Sequence, residues 1–455
     1  MVDTDNRVCT KMKSRFMDWY QLYKRDFSEE YASNLLNGDK NSDFFATNSR
    51  NHISIEFINR IKSPKIFQFS YYPAINNITG GERRINSLRK IMAGLGWNLS
   101  SGGIYKFRER HPLGSNYVEL TKRQNKWVES DWREWEIRLG YAVLASDFDR
   151  GQLKQIFNVI NPDVLLIEHP FLWPIVKHLF PKVPVIYDSH NVEWQLKSNF
   201  LQGDTSAEEI VNFYELVERD LVRNSSLVFC CSDYDFSVYK SLTENLILIP
   251  NGANNPTTVV SKRVENIDIV ADRFNIIYIS SPHLPNWTGV EDFVLPVMKR
   301  YEHGNKINLI LAGGICSFYE EYCKRKGKLS NVTTINSFSD EEKAYLFSIS
   351  SLIILPIVSG GGTNLKTAEA LLSTKRILAS ETAFRGFEVF KNSKGVSVVK
   401  NDNFADAFDQ ILSEESSADQ GSYERPECQV VSWDSIVGQA ISDINKLIIR
   451  KVEHE

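Results

Sequence analysis

The sequence predicts an α/β protein made of two doubly wound domains, each a parallel sheet with helices on both faces. Three observations lead there. From Lys65 onward, short runs rich in Val, Ile and Leu alternate with amphipathic stretches of helical period. Strands buried on both faces and joined by crossover helices read this way. The alternation stops at a turn-rich interval, Pro250–Arg273, and then resumes. A chain of 455 residues, at about 150 per domain, also has room for two large domains and flanking segments.

Residues 1–60 precede the alternation. Met12, Phe16, Trp19, Tyr20, Tyr23 and Phe27 recur on one helical face, and Lys11, Lys13, Arg15, Lys24 and Arg25 outnumber Asp18 and Asp26 around them. The segment reads as a helical extension with two uses open to it: packing on the first domain, or lying on anionic lipid. The first domain, 61–250, has strands expected at Ile66–Ser70, Val164–Glu168, Val183–Asp188, Leu227–Cys231 and Leu246–Ile249, with helices at Arg83–Ala93 and Ala207–Arg223. The second, 251–430, has strands expected at Ile276–Ser280, Ile307–Ala312, Val332–Ile335, Leu352–Leu355, Arg376–Ala379 and Val396–Val399. Its helices are expected at Val290–Tyr301, Asp340–Ser348 and Phe404–Leu412. A last helix, Trp433–Lys451 within 431–455, fits either half and has the length to cross back to the first.

Composition excludes several classes. Apolar residues make up 42% and charged residues 24%, which is globular usage rather than a disordered or fibrous chain. The net charge of −4 argues against a surface that grips nucleic acid as a whole. No apolar run approaches the ~18 residues of a spanning helix, and the polar first residues lack a signal-peptide core, so a cytoplasmic protein is expected. Cys9, Cys230, Cys231, Cys316, Cys323 and Cys428 show no zinc spacing and read as reduced thiols.

Three segments carry candidate chemistry. The sharpest runs from Ser359 through Gly360, Gly361, Gly362, Thr363, Asn364, Leu365 and Lys366 to Glu369, after a buried strand and into a helix. Glycines let backbone approach a ligand, and the first amides of a helix are unpaired donors that suit an anion. Lys366 adds a full charge for a phosphate, and Glu369, three residues on, can accept from two hydroxyls. Phosphate plus vicinal hydroxyls describes a nucleoside diphosphate. The plainer reading of Lys366 and Glu369 is a solvated i,i+3 pair. The spacing is neither that of a Walker loop nor of a dinucleotide fingerprint. The second segment places Gly80 and Gly81 before the first crossover helix. In the third, His190 lies just past the end of the strand Val183–Asp188, with His169 in a similar place after Val164–Glu168. Packing is the ordinary role of such histidines, but their position at strand ends makes them site candidates.

Taken in order, these are a first strand with a Gly-Gly loop, an Asp-x-His strand end (Asp188, His190), Cys231-Ser232, the turn Pro250-Asn251-Gly252, and the glycine loop with Lys366, Glu369 and Ala370. That order resembles the GT-B glycosyltransferases of the large retaining family 4, over roughly Lys65 to Leu412. The resemblance implies two Rossmann-like domains facing a central cleft, with a nucleotide-sugar donor held mainly by the second. It implies ribose hydroxyls on Glu369, donor diphosphate over Gly81, and His190 beside the donor sugar. It also implies nucleobase contacts near Asn336, Ser337 and Phe338, with His283 and Asn286 on the first loop of the second domain. Two features, at three positions, depart from the family pattern. Gly361 stands where a first glutamate is usual, and His283 and Asn286 stand where an Arg and a Lys often do. Lys366 would supply the missing charge.

The expected activity is therefore transfer of a sugar from a nucleotide-diphosphate donor to a glycan or glycolipid hydroxyl, with retention implied by the resemblance. Bacterial surface polysaccharide or glycoconjugate assembly is the setting it suggests. Catalytic candidates are His190 and Lys366. Donor candidates are Gly80, Gly81, His283, Asn286, Ser337, Phe338, Gly361, Gly362, Thr363, Asn364, Lys366 and Glu369. Arg83, Arg84, His169 and Trp194 are the acceptor-side candidates. Neither a cofactor nor a metal is expected, because amides and a lysine can stabilise a leaving diphosphate. The pairs Asp147/Asp149 and Asp233/Asp235 have no accompanying ligand cluster in the sequence. Peripheral contact at the inner face of a membrane is a further expectation, and nucleic acid is not. The rival readings are a non-catalytic glycan- or nucleotide-binding relative and a nucleotide-sugar epimerase.

Overall fold

The computed structural model describes residues 63–71, 80–106, 116–205, 207–264, 273–304, 306–359, 363–414 and 422–452. The helical extension expected over 1–60, most of the loop before Gly80, and Gly360, Gly361 and Gly362 lie outside the described residues. The chain divides into two compact units: residues up to Ile249 together with those from Val437 on, and Pro250–Ile436.

The first unit holds a parallel sheet of seven strands: β1 (Lys65–Ser70), β2 (Asn98–Tyr105), β3 (Tyr117–Glu119), β4 (Val164–Ile167), β5 (Val185–Ser189), β6 (Leu227–Cys230) and β7 (Leu246–Leu248). Their spatial order is β3-β2-β1-β4-β5-β6-β7. The second unit holds six parallel strands: β8 (Phe274–Ile279), β9 (Ile307–Ala312), β10 (Val332–Ile335), β11 (Leu352–Leu355), β12 (Arg376–Ser380) and β13 (Val396–Val399), ordered β10-β9-β8-β11-β12-β13. Each sheet reverses its strand order once, between β1 and β4 and between β8 and β11. There Ile66 pairs Val164 and Ile276 pairs Leu352. At such a reversal successive crossover helices leave on opposite faces, and a crevice opens beyond the carboxyl ends of the strands.

Every strand expected from the apolar runs is present, within a residue or two at its ends. β4, β9 and β11 are buried throughout, which is why their sequences are unbroken apolar runs. β2 and β3 were not foreseen. β2 (NLSSGGIY) is polar and glycine-rich because it runs close against its neighbour: a Cβ on Gly103 would lie 1.8 Å from the Ser70 carbonyl oxygen. One on Gly102 would meet the Phe67 ring at 2.6 Å. The helix expected at Val290–Tyr301 begins earlier and changes pitch. A helix at Leu284–Gly289 leads into a π-turn at Val290–Val294 and then a helix at Leu295–Arg300. Pro296, with no N–H to donate, accounts for the widened turn before it. The final helix, Trp433–Val452, lies in the second unit up to Ile436 and in the first from Val437, where Ile441 sits against Gly94.

Candidate functional site

In the first unit, five polar segments converge at the reversal point. The helix Gly80–Gly94, which follows β1, buries Arg84, Leu88, Ile91 and Met92 on one face. Helical period therefore carries Arg84 down onto the sheet. Its Nη2 lies 2.6 Å from Asp188 Oδ1, its Nε donates to the same carboxylate, and Nη1 donates to the Ile249 carbonyl at 2.7 Å. Asp188 lies on β5, and His190 follows that strand. The His190 Nε2 is 3.1 Å from Glu168 Oε2 and 3.3 Å from Asp188 Oδ2. Glu168, just past β4, also accepts from Gln68 Nε2 of β1 at 2.5 Å. His169 stacks on His190 with ring centroids 4.1 Å apart. All of these side chains are buried.

The titration of the cluster follows from burial and charge. Burial raises the proton affinity of Glu168, with the Asp188 charge adding to it and His190 opposing. Burial disfavours charge on Asp188, but Arg84 and then His190 outweigh it and hold that carboxyl below its ordinary range. Burial also opposes charge on His190, yet hydrogen bonds to Asp188 and Glu168 push it up to about 9. His169 goes the other way, held neutral by burial and by the charges of His190 and Arg84. The result is a protonated imidazole between two carboxylates, with a guanidinium on the far side of one of them. Glu168, Asp188 and His190 offer ligand atoms within 4.8 Å of one another, a spacing a cation could use. Arg84 and the imidazolium already balance the two carboxylates, so the charge a metal would supply is in place.

In the second unit, the helix Leu365–Leu372 follows β11. Asn364 caps it, its side chain accepting from the Lys366 backbone N–H at 3.1 Å. Its first turn contains no acidic residue. Lys366 thus adds a cation to the end of a helix that is already electropositive, an unfavourable placement that an arriving anion would relieve. Desolvation lowers its pKa to about 8, with Glu369 opposing. Among the described residues none forms a hydrogen bond or ion pair with the Lys366 ammonium. His283, which caps the helix after β8, is also lowered by burial and then by the Lys366 charge. Glu369 is buried, and its Oε1 lies 2.8 Å from Lys343 Nζ. Thr363 Oγ1 accepts from Asn251 at 3.1 Å, which ties the glycine-loop exit to the turn that follows β7.

The sequence candidates divide accordingly. His190, His169 and Arg84 meet in one cluster, while Lys366 and Glu369 share one helix. Arg84 is 1% exposed and its guanidinium is held by Asp188, whereas Arg83 is half-buried. Asn286 is buried, and its amide donates to Ser281 at 3.4 Å. Trp194 is half-buried, with Arg219 over its ring at 5.9 Å, and its backbone N–H donates to Glu218 at 3.2 Å. Gly80 and Gly81 open the first crossover helix. Ser337 is exposed after β10, and the Phe338 ring would lie 3.8 Å from a Cβ on Gly313. Asp149 and Asp235 sit in helix first turns capped by Ser146 and Ser232, which explains both aspartate pairs structurally. Sequence reasoning missed Glu168 and Lys343 as site residues. Lys343 had a signal: it shares a helix face with Leu346 and Phe347.

No protein-family model matches the chain, and no curated protein matches it by sequence. Solved structures do. A sucrose-phosphate synthase from Thermosynechococcus elongatus superposes with a TM-score of 0.62 at 15% identity, covering 85% of this chain and 100% of that one. An E. coli trehalose-6-phosphate protein bound with UDP-2-fluoro glucose gives 0.54 at 12%, covering 86% and 99%. Anabaena HepE in complex with UDP gives 0.50 at 13%, covering 86% and 100%. At such identities likeness speaks for fold. Two parallel-sheet α/β units of seven and six strands define the class, and that class is the GT-B fold. Among the described residues no helix is long and apolar enough to cross a membrane.

Proposed function

We propose that this chain is a glycosyltransferase that uses a nucleoside-diphosphate sugar and delivers the sugar to a hydroxyl of a glycan or glycolipid. The observation that carries the reading is the placement of Lys366, with no ion partner among the described residues, on the positive end of the helix after β11, with Glu369 one turn along. That is the charge pattern a leaving diphosphate and a ribose require. The fold is shared with proteins solved with UDP and with UDP-2-fluoro glucose, which supports the same ligand class here.

In this reading, negative charge growing on the leaving diphosphate is met by Lys366 and by the helix amides, and a divalent cation is not required. His190, held protonated by Glu168 and Asp188, is assigned to the donor sugar by the family resemblance. Retention, hexosyl transfer, an acceptor on the first unit near Arg83, a cytoplasmic site of action with peripheral membrane contact, and a role in bacterial surface glycoconjugates belong to the same proposal.

The test is a thermal-shift screen of uridine, guanosine, adenosine and cytidine diphosphates, followed by donor turnover. A ligand at 100 times its dissociation constant stabilises the fold by ~2.7 kcal/mol. Transfer or donor hydrolysis by the wild type, lost in Lys366→Ala and Glu369→Ala, supports the reading. Binding without turnover on any acceptor would favour a non-catalytic relative, and an altered sugar nucleotide without acceptor would favour an epimerase.

A further inference from the structure

Lys343 is a buried cation without an assigned task. It lies mid-face on the helix Asp340–Ile349, whose start is locked by the Ser339/Glu342 capping box, and it is 6% exposed. Lysine is seldom buried this far unless paired. Its ammonium is 2.8 Å from Glu369 Oε1 and 3.7 Å from Asp340 Oδ1. Asp340 is largely exposed, whereas Glu369 is buried, so the ion pair that matters energetically is the one with Glu369. Glu369 stands on a different helix, so its carboxylate is gripped from outside its own element.

From this we infer that Lys343 is a positioning and specificity-determining residue for the nucleotide site: it keeps Glu369 ionised and holds the carboxylate plane so that it reads ribose hydroxyls. The inference rests on the nucleoside-diphosphate reading proposed above. Two physical arguments carry it. A buried carboxylate that loses a cation 2.8 Å away takes up a proton more readily, and a protonated carboxyl no longer accepts from two hydroxyls. A hydrogen bond from Lys343 to one oxygen also fixes the rotation of the group, which lowers the ordering cost when a diol arrives. Lys366 serves a different part of the ligand, because its charge addresses the diphosphate that ribo- and deoxyribonucleotides share.

The experiment measures dissociation constants of the four ribonucleoside diphosphates and their 2′-deoxy counterparts for wild type, Lys343→Met, Lys343→Gln and Lys343→Arg. Melting temperatures accompany each variant. For the best-bound base, wild type should prefer the ribonucleotide by about tenfold to a hundredfold, as for hydrogen bonds to a charged group. Lys343→Met and Lys343→Gln should bring that preference close to unity, and Lys343→Arg should restore much of it. A preference unchanged in both neutral variants would overturn the inference while leaving the nucleotide reading intact. Failure of wild type to bind any of the four ribonucleotides would overturn the nucleotide reading and this inference together. If Lys343→Met does not fold, the Lys343→Met, Glu369→Gln double variant removes both charges at once. Its preference should be as low as that of Lys343→Gln, and a full wild-type preference there would count against the inference.

Discussion

His190 and Glu168 are joined by a hydrogen bond of 3.1 Å between Nε2 and Oε2, in a buried pocket that ends two adjacent parallel strands. The bond couples the two titrations, and both groups hold protons more tightly folded than unfolded. For a group whose affinity is raised on folding, the stabilisation is complete below the unfolded pKa and is lost as pH climbs through the folded one. His190 should therefore contribute least above about 9 and most below its ordinary value of 6.5. The expected outcome is that the difference in urea midpoint between wild type and His190→Gln shrinks between those two values. In Glu168→Gln the imidazole, followed by NMR, should titrate at lower pH than in wild type.

Arg84 is the counter-ion of a carboxylate with no exposure, and its own exposure is 1%. Arg84→Met would leave Asp188 buried with only His190 for company. Breaking a buried pair by removing one partner costs about 3–5 kcal/mol. Denaturant unfolding should show a loss of that order in the first unit. An Arg84→Met, Asp188→Asn double variant should lose less than Arg84→Met alone.

On the proposed reading, Lys366 should make nucleotide affinity pH-dependent. Its proton is lost as pH rises through about 8, well below the usual 10.5 of a lysine. Calorimetric titration should show nucleoside diphosphate binding constant between pH 6.5 and 7.5 and weakening above about 8. In Lys366→Met, affinity should be lower by roughly tenfold to a hundredfold, with that dependence gone. Stability moves in the opposite sense. The unfolded chain binds more protons than the folded one between about 8 and 10.5, so this lysine makes the fold more stable as pH rises across that interval.

Arg425 closes the far end of the Lys366 helix. Its guanidinium donates to the carbonyls of Ala370, Leu371, Lys375 and Lys394 while remaining 4% exposed. Those carbonyls include two from the last turn of the helix, Leu371 and Ala370, the latter also accepting from the Ser373 backbone N–H and hydroxyl. Arg425→Ala should cost about 2–4 kcal/mol in the second unit, since four carbonyls lose a shared charged donor together. The same variant should leave the His190 titration unchanged.

Much of this fold can be read from the chain alone. Strands buried on both faces must be continuously apolar, so β4, β9 and β11 announced themselves, and the interval after Pro250 separated the two sheets. β2 was invisible because its character is imposed from outside: glycines at 102 and 103 answer to the backbone and ring of the strand beside them. In the same way the chain alone marked Lys366, Glu369 and His190 by their places after strands. It offered Lys366 and Glu369 only each other, as an i,i+3 pair, and His190 no partner, because a buried partner depends on how the elements pack.

That packing was decided only in three dimensions. The order β1-β4-β5 brings Glu168 to His190 across 22 residues and Arg84 to Asp188 across 104. Packing of two helices brings Lys343 to Glu369 across 26. Apolar periodicity says which residues leave water, and it is indifferent to which neighbour they meet. A buried charge is not indifferent, since it is tolerated only beside its opposite. Local pattern therefore determined the elements of this protein, and the pairing of its buried charges determined what those elements can do.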